Sequence, residues 1–336
     1  MKIVFLCDKK IYNTKMSRVR FDGIDAIKRH PGIDLKKTGP GWPGFVGCGR
    51  VDSEYKPDLV VVYKPLDMKD FDKIKSPKCL RYNEMWNVNW TKHEIKTSDS
   101  RLVISHHMND LPRFHGKLDP KYKLVHNPHC GEIQMYHDWK EPKTVDVMLS
   151  GTCSPKTCYP LRYKFANRVG NLLKKKGVKF HIFHHPGYRY KNLEDIKHHR
   201  KKYCKAINRA KIAVTCASDF HYALAKYVEI PLCRTALCAD LPRENQDWYR
   251  KWMIPISNDY NAEKIINIIM PYLKDEQKLK EITELGYQEN LKHRTQEEYA
   301  RRFVFLAEEF LNGKMDGYDF QTDADKYYNG GDGEHT

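Results

Sequence analysis

The sequence lacks the features of a membrane-spanning or secreted chain. The longest apolar candidates, residues 59–63 and 265–270, are far shorter than the roughly 18 to 20 residues that a transmembrane helix requires. The N-terminal apolar run, residues 3–7, meets charge at Asp8 and Lys9, which favours a first β-strand over a signal peptide. We therefore predict a cytoplasmic protein without a transmembrane segment.

The sequence also lacks recognisable metal-binding motifs. Ten cysteines are present, but no pair of CxxC knuckles has the spacing of a zinc finger. No DxD-type acidic motif stands at the end of a predicted strand. We therefore predict no metal site and no resident cofactor.

Basic residues outnumber acidic ones, and the excess is concentrated in one segment. Lys and Arg total 59 against 43 for Asp and Glu, which gives a net charge of +16. Residues 168–211, the basic segment, contain fourteen Lys or Arg and five His but only two acidic residues, Glu194 and Asp195. This bias favours a polyanionic partner or peripheral contact with an anionic surface. The alternative is a solvated charged face.

The first half of the chain predicts an α/β domain with a parallel sheet. Its apolar residues form continuous runs, which are typical of strands covered on both faces. We predict a helix at residues 21–30 and strands at 2–7, 58–63, 79–82 and 101–105. Residues 125–144 contain two prolines and no helical period, so we place a domain boundary there.

The second half repeats the alternation of strands and helices. Predicted strands are 145–149, 180–183, 212–216 and 236–239, and predicted helices are 160–175, 203–209, 222–229 and 262–310. We therefore expect two Rossmann-like, doubly wound α/β domains, residues 1–130 and 131–312, with closing C-terminal helices and an acidic, flexible tail at 313–336. Two such domains place the carboxyl ends of their strands at a cleft, where small ligands bind.

The most informative motif lies in residues 217–240. A strand there ends in a polar turn, and the following helix carries Lys226 and Glu229, three residues apart and on one helical face. Lys226 would neutralise a phosphate, and Glu229 would accept hydrogen bonds from ribose hydroxyls. The alternative is an ordinary surface ion pair.

Four pieces of the second half carry a resemblance to a known family. They read VDVMLSGTCSPKTCYPLRYKF, YCKAINRAKIAVTC, AKYVEIPLCRTALCAD and LGYQENLKHRTQEEYARRF. In order and spacing, residues 144–302 resemble the C-terminal domain of glycosyl transferases of group 1, especially their spore-coat-associated branch, which have the two-domain GT-B fold. The architecture is also similar to that of bacteriophage β-glucosyltransferases that modify hydroxymethylated DNA.

The resemblance implies roles for particular residues. Glu229 corresponds to the ribose-binding glutamate of the family, Lys226 and Arg162 to its phosphate-binding residues, and Gly151 to the glycine turn under the nucleotide. Retaining group 1 enzymes carry an acidic residue eight positions before that glutamate, where this chain has His221. The resemblance therefore does not fix the stereochemistry of transfer or the contacts of His221 with the donor sugar.

An inverting transfer would need a general base in the N-terminal domain. Glu84 follows the third predicted strand and is the first candidate, and its alternatives are a surface carboxylate or a helix cap. Asp110 and His107 are the second candidates for this catalytic role.

These features favour a hexosyltransferase-type enzyme that moves a sugar from a UDP- or GDP-linked donor to a hydroxyl group of a glycan or protein. One alternative is a DNA-modifying glucosyltransferase, of the kind that viruses use, acting on hydroxymethylated bases. Another is a non-enzymatic module that binds nucleotides or nucleic acid.

Overall fold

A computed structural model describes residues 1–15, 18, 21–187 and 190–315. The chain forms two compact units. The first comprises Met1–Pro128 together with residues 299–315, and the second comprises His129–Glu298. Residues 299–312 were predicted to belong to the second domain instead. Residues 316–336 of the predicted acidic tail lie outside the described residues.

The first unit contains a sheet of six parallel strands. They are β1 (Lys2–Leu6), β2 (Asp34–Thr38), β3 (Leu59–Val62), β4 (Lys78–Tyr82), β5 (Leu102–Ser105) and β6 (Lys123–His126). Their spatial order is β2-β1-β3-β4-β5-β6. The helices are α1 (Lys9–Thr14), α2 (Asp22–Arg29), α3 (Val51–Tyr55) and α4 (Val88–Ser98), with 3-10 helices at Cys48–Arg50, Pro65–Asp67, Phe71–Lys73 and Met108–Phe114.

The central strands of this sheet are covered on both faces, as their apolar runs predict. All four residues of β3 are buried, and so are all four residues of β5. Strands β2 and β6, the two edges of this sheet, were not predicted, because charged or polar residues surround their few apolar residues in the sequences DLKKT and KLVH. Charged side chains, especially Lys, are common on edge strands, so such sequences carry a weaker apolar signal.

Tyr299 joins the C-terminal segment to the first unit. Its hydroxyl accepts a hydrogen bond from Arg81 Nε at 2.6 Å, and its carbonyl accepts one from Asn127 Nδ2 at 3.1 Å. A Cβ added to Gly23 would lie only 2.6 Å from the Tyr299 ring, so the absence of a side chain at Gly23 gives the ring its space.

The second unit contains a sheet of five parallel strands. They are β7 (Val145–Gly151), β8 (Phe180–His184), β9 (Ala210–Val214), β10 (Ala236–Asp240) and β11 (Ile254–Ile256), in the order β8-β7-β9-β10-β11. The helices are α5 (Pro160–Lys164), a π-helical turn (Phe165–Val169), α6 (Gly170–Lys175), α7 (Leu193–Asn208), α8 (Lys226–Leu232), α9 (Gln246–Trp252), α10 (Ala262–Lys274), α11 (Glu276–His293) and α12 (Gln296–Leu311), whose residues from Tyr299 belong to the first unit.

The prediction of two doubly wound α/β sheets is confirmed. Each sheet begins with the same strand order, in which the first strand lies between the second and the third. The winding direction therefore reverses between β1 and β3 in one unit and between β7 and β9 in the other. Ligands of open α/β sheets bind outside the carboxyl ends of the strands at such a switch point.

Helix α8 begins at Lys226, four residues later than predicted. The preceding segment is a tight turn, in which Ser218 and His221 have φ of 63° and 56°. The amide of Tyr222 closes this turn by donating to the carbonyl of Ala217 at 2.7 Å. No helix among the described residues has the length and apolar composition that crossing a membrane requires.

Candidate active site

Gly151 ends β7 at the switch point of the second unit. Its φ of 105° lies in the left-handed region, which glycine adopts without strain. A Cβ at this position would lie 2.8 Å from Arg162 Nη1 and 3.5 Å from Lys226 Cε. The structure therefore places three of the residues singled out by the sequence, Gly151, Arg162 and Lys226, close together.

Arg162 lies on α5 and is only 4% exposed. Its Nη2 donates to the hydroxyl of Thr215, just after β9, at 3.0 Å, and its guanidinium lies 4.0 Å from the ring centroid of Tyr159. Among the described residues, no carboxylate forms a salt bridge with Arg162, and its Nε has no hydrogen-bond partner. A buried cation without an anionic partner is unfavourable, so this guanidinium is suited to receive an anion.

Lys226 stands at the start of α8, half-buried. Its ammonium donates to the hydroxyl of Tyr203 at 2.8 Å and lies 4.3 Å from the centroid of that ring. The same hydroxyl lies 3.4 Å from Ser150 Oγ, next to Gly151. Burial lowers the pKa of Lys226 to about 8, and the charge of Glu229 partly opposes this shift.

Glu229 follows one turn later on α8. Its Oε1 accepts a hydrogen bond from the hydroxyl of Tyr136 at 2.9 Å. The guanidinium of Arg200 lies 5.3 Å from the centroid of the Tyr136 ring. Arg200 also forms a salt bridge with Glu132 at 3.1 Å. In the part of the chain that the structure describes, Lys226 and Glu229 form no ion pair with each other. The alternative of an ordinary surface ion pair therefore does not describe these two residues.

His221 belongs to the turn before α8 and is exposed. Its carbonyl accepts from the amide of Arg243 at 3.0 Å. The turn is anchored by Asp240, at the end of β10, whose Oδ1 accepts from the amide of Ala217 at 2.6 Å. Burial raises the pKa of Asp240, and the nearby His221 is among the groups that oppose this shift.

Three candidates lie in the first unit, after the carboxyl ends of β4 and β5. Glu84 is half-buried, and its Oε1 accepts from Asn83 Nδ2 at 3.1 Å. Asp110 is fully buried, and its Oδ2 accepts from the amide of Met85 at 2.8 Å. His107 is also fully buried. Asp110 therefore fixes the backbone next to Glu84, whereas Glu84 keeps part of its surface exposed.

Sequence reasoning missed several residues that surround the donor candidates. Tyr136, Tyr203 and Thr215 hold Glu229, Lys226 and Arg162 through their hydroxyl groups. His185 follows β8. Burial is the main cause that lowers its pKa, and the positive charge of Lys226 lowers it further. No pattern in the sequence marks these residues, because each is defined by a contact with a distant part of the chain. No cluster of three or more His, Cys, Asp or Glu suited to a metal ion occurs among the described residues.

Comparison with solved structures identifies the architecture. A sucrose-phosphate synthase from Thermosynechococcus elongatus matches over 93% of this chain and 100% of its own, with a TM-score of 0.59 and 9% identity. HepE from Anabaena, in complex with UDP and glucose, matches over 90% and 98%, with a TM-score of 0.57 and 11% identity. An α-glucosyltransferase in complex with UDP and a 13-mer DNA containing an HMU base matches over 93% and 99%, with a TM-score of 0.57 and 9% identity. The chain has the GT-B fold.

The expectation of a GT-B fold is therefore confirmed by structural similarity. No protein-family model and no curated protein matches the sequence. At such low sequence identity the similarity defines the GT-B fold alone. The function of this chain depends on the side chains described above.

Proposed function

We propose that this chain is a glycosyltransferase whose second unit binds a nucleotide-sugar. One observation carries the proposal: two buried or half-buried cations, Arg162 and Lys226, meet at Gly151 without a carboxylate salt bridge among the described residues. They lie at the switch point of a doubly wound sheet, where such folds bind ligands. A diphosphate would supply the missing negative charge. The two similar structures with bound UDP are consistent with this assignment.

In this proposal each donor residue has a defined task. Arg162 and Lys226 bind the diphosphate and stabilise the charge that develops on it as the sugar leaves. Gly151 lets the phosphates approach the backbone, because no Cβ stands between them. Glu229, held by Tyr136, accepts hydrogen bonds from the ribose hydroxyls. His221, on the exposed turn, contacts the donor sugar. The donor is UDP- or GDP-linked, and neither a metal nor a resident cofactor takes part.

We assign the acceptor to the first unit, with Glu84 as the general base of an inverting transfer. The acceptor hydroxyl oxygen forms a bond to the anomeric carbon while the bond from that carbon to the diphosphate oxygen breaks. The hydroxyl proton passes to Glu84, and the nucleoside diphosphate leaves as an anion. Asp110 positions the loop that carries Glu84, since its Oδ2 accepts a hydrogen bond from the amide of Met85. Asp110 and His107 are the second candidates for the base.

The favoured acceptor is a glycan or protein hydroxyl, and hydroxymethylated DNA is the second candidate. The observation that favours DNA is a set of exposed lysines of the basic segment that form no salt bridge within the described part of the chain: Lys174, Lys175, Lys179, Lys191, Lys201 and Lys202. Such lysines can contact phosphates without breaking a salt bridge. One similar structure contains DNA.

Thermal unfolding with UDP, GDP, ADP or CDP tests the donor assignment. A ligand that binds only the folded state adds about 2.7 kcal/mol of stability at one hundred times its dissociation constant, so at least one nucleotide should raise the melting temperature clearly. Lys174→Met, outside the donor site, is the matched control for Lys226→Met, which should lose the shift. If millimolar concentrations of all four nucleotides leave the melting temperature unchanged, the donor site is wrongly assigned.

A further inference from the structure

A cavity of about 290 Å³ lies in the first unit, separate from the donor residues. One wall is the 3-10 helix Met108–Phe114, which follows β5, and another is formed by Tyr122 and by Leu124 of β6. The connection between them, which includes Leu118, completes the lining.

The sequence explains why the walls are apolar. A 3-10 helix has three residues per turn, so residues three apart lie above one another. Met108, Leu111 and Phe114 therefore form one row along this helix. Tyr122 lies at the bend just before β6 and Leu124 lies within β6, and together they form a row on the other wall. Both rows line the cavity.

The same 3-10 helix also supports the loop of the candidate base. Asp110 and Arg113 form a second row, with Arg113 Nε 4.0 Å from Asp110 Oδ1. Asp110 in turn accepts from the amide of Met85, the residue after Glu84. One short helix thus lines the cavity with one row of side chains and fixes the backbone beside Glu84 with another.

The lining is chemically suited to an apolar group. A buried water needs two to four polar partners, whereas most of this lining consists of carbon atoms, and its polar groups include His115 and Asp119, both of them exposed. An apolar cavity of roughly 150 Å³ holds one benzene ring. The cavity here is about twice that size, which corresponds to two fused rings.

We propose that this cavity binds an uncharged apolar group of the size of two fused rings. If the first unit holds the acceptor, as the proposed function assigns, this group belongs to the acceptor molecule. Within the favoured class of glycan or protein hydroxyl acceptors, the acceptor then carries an aromatic portion that contacts Phe114 and Tyr122, while its hydroxyl-bearing part lies outside the cavity.

Calorimetric titration of the full chain with 2-naphthol tests the site. We expect saturable binding with one molecule per chain. Leu118→Trp fills the cavity from a partly buried position and should weaken this binding at least ten-fold. The matched control is Leu285→Trp on α11, where the side chain is 43% exposed and outside the cavity; it should bind 2-naphthol like the wild type.

The absence of saturable binding, or equal affinity in Leu118→Trp and the wild type, overturns the proposal. UDP titration of the same proteins keeps this result separate from the proposed function. Leu118→Trp should leave UDP affinity unchanged, because the donor residues lie in the other unit. Failure of the wild type to bind UDP would contradict the donor site and leave the naphthol result valid.

Discussion

Binding of UDP should depend on pH through Lys226. Burial is the main cause that lowers its pKa to about 8; Arg162 lowers it further, and Glu229 opposes the shift. Only the protonated ammonium offsets the charge of a diphosphate, and bound phosphate favours that charged form. Affinity should therefore fall as the pH rises from 7 through 8. The other groups that shift this pKa are Cys204 and Cys216.

The magnitude follows from the titration of one group. With a pKa of about 8, Lys226 is roughly 90% protonated at pH 7 and roughly 10% at pH 9. UDP affinity should then fall about ten-fold between these values, or about 1.4 kcal/mol. The terminal phosphate, whose pKa is about 6 by analogy with phosphorylated side chains, is already mostly ionised in this window. The change therefore reports on the protein.

Calorimetry at pH 7, 8 and 9 and constant ionic strength measures this dependence. Lys226→Arg should bind UDP equally at all three values, because a guanidinium stays charged, and Lys226→Met should bind weakly throughout. Lys143→Met is the matched control, because burial also lowers the pKa of Lys143 to about 8. Its ammonium donates to the carbonyl oxygens of Ala210 and Arg234, away from Gly151, so this variant should keep the wild-type pH dependence. The proposed role of Lys226 is refuted if the wild type binds UDP with the same affinity at pH 7 and pH 9. It is also refuted if Lys226→Met keeps the wild-type dependence of UDP affinity on pH.

Three further predictions concern the phosphate-binding arginine, the two candidate glutamates and the basic segment. Arg162→Met should abolish the thermal shift by UDP without lowering the melting temperature of the free protein, because replacing a buried charge that lacks an anionic partner is often neutral or stabilising; a large loss of stability in differential scanning calorimetry would contradict this. Glu229→Ala should weaken donor binding, whereas Glu84→Gln should mainly lower kcat, and equal effects on donor affinity would remove Glu84 from the catalytic role. If DNA is the acceptor, replacing Lys174, Lys175 and Lys176 by Ala should preserve donor binding and reduce the slope of log affinity against log salt by about 0.9 for each lost phosphate contact; absence of salt-sensitive DNA binding by the wild type at about 50 mM salt would exclude the DNA acceptor.

The sequence predicted the parts of the fold that depend on local pattern. Strands such as β3 and β5 are buried throughout because both of their faces are covered, so their runs of apolar residues identified them. The edge strands β2, β6 and β11 escaped prediction, because charged or polar residues, or a proline in β11, interrupt or flank their few apolar residues. The late start of α8 also escaped, because left-handed backbone at Ser218 and His221 depends on the turn rather than on residue type.

The candidate site was predictable only in part. Gly151, Arg162, Lys226 and Glu229 were found by motif and resemblance, and their roles stay predictions. The hydroxyl groups that hold them had no local signal: Tyr136 lies 93 residues from Glu229 in the chain. Such pairs become visible only when tertiary structure brings distant segments together.

The return of the chain to the first unit at Tyr299 has a consequence for biosynthesis. Protein domains generally fold as units while the ribosome makes them, beginning with the N-terminal one. Here the first unit remains incomplete until its last segment emerges, after the whole of His129–Glu298 has been made. Throughout that interval Arg81 and Asn127 cannot form their hydrogen bonds to Tyr299. The second unit, although later in the sequence, is the first whose residues are all available to fold.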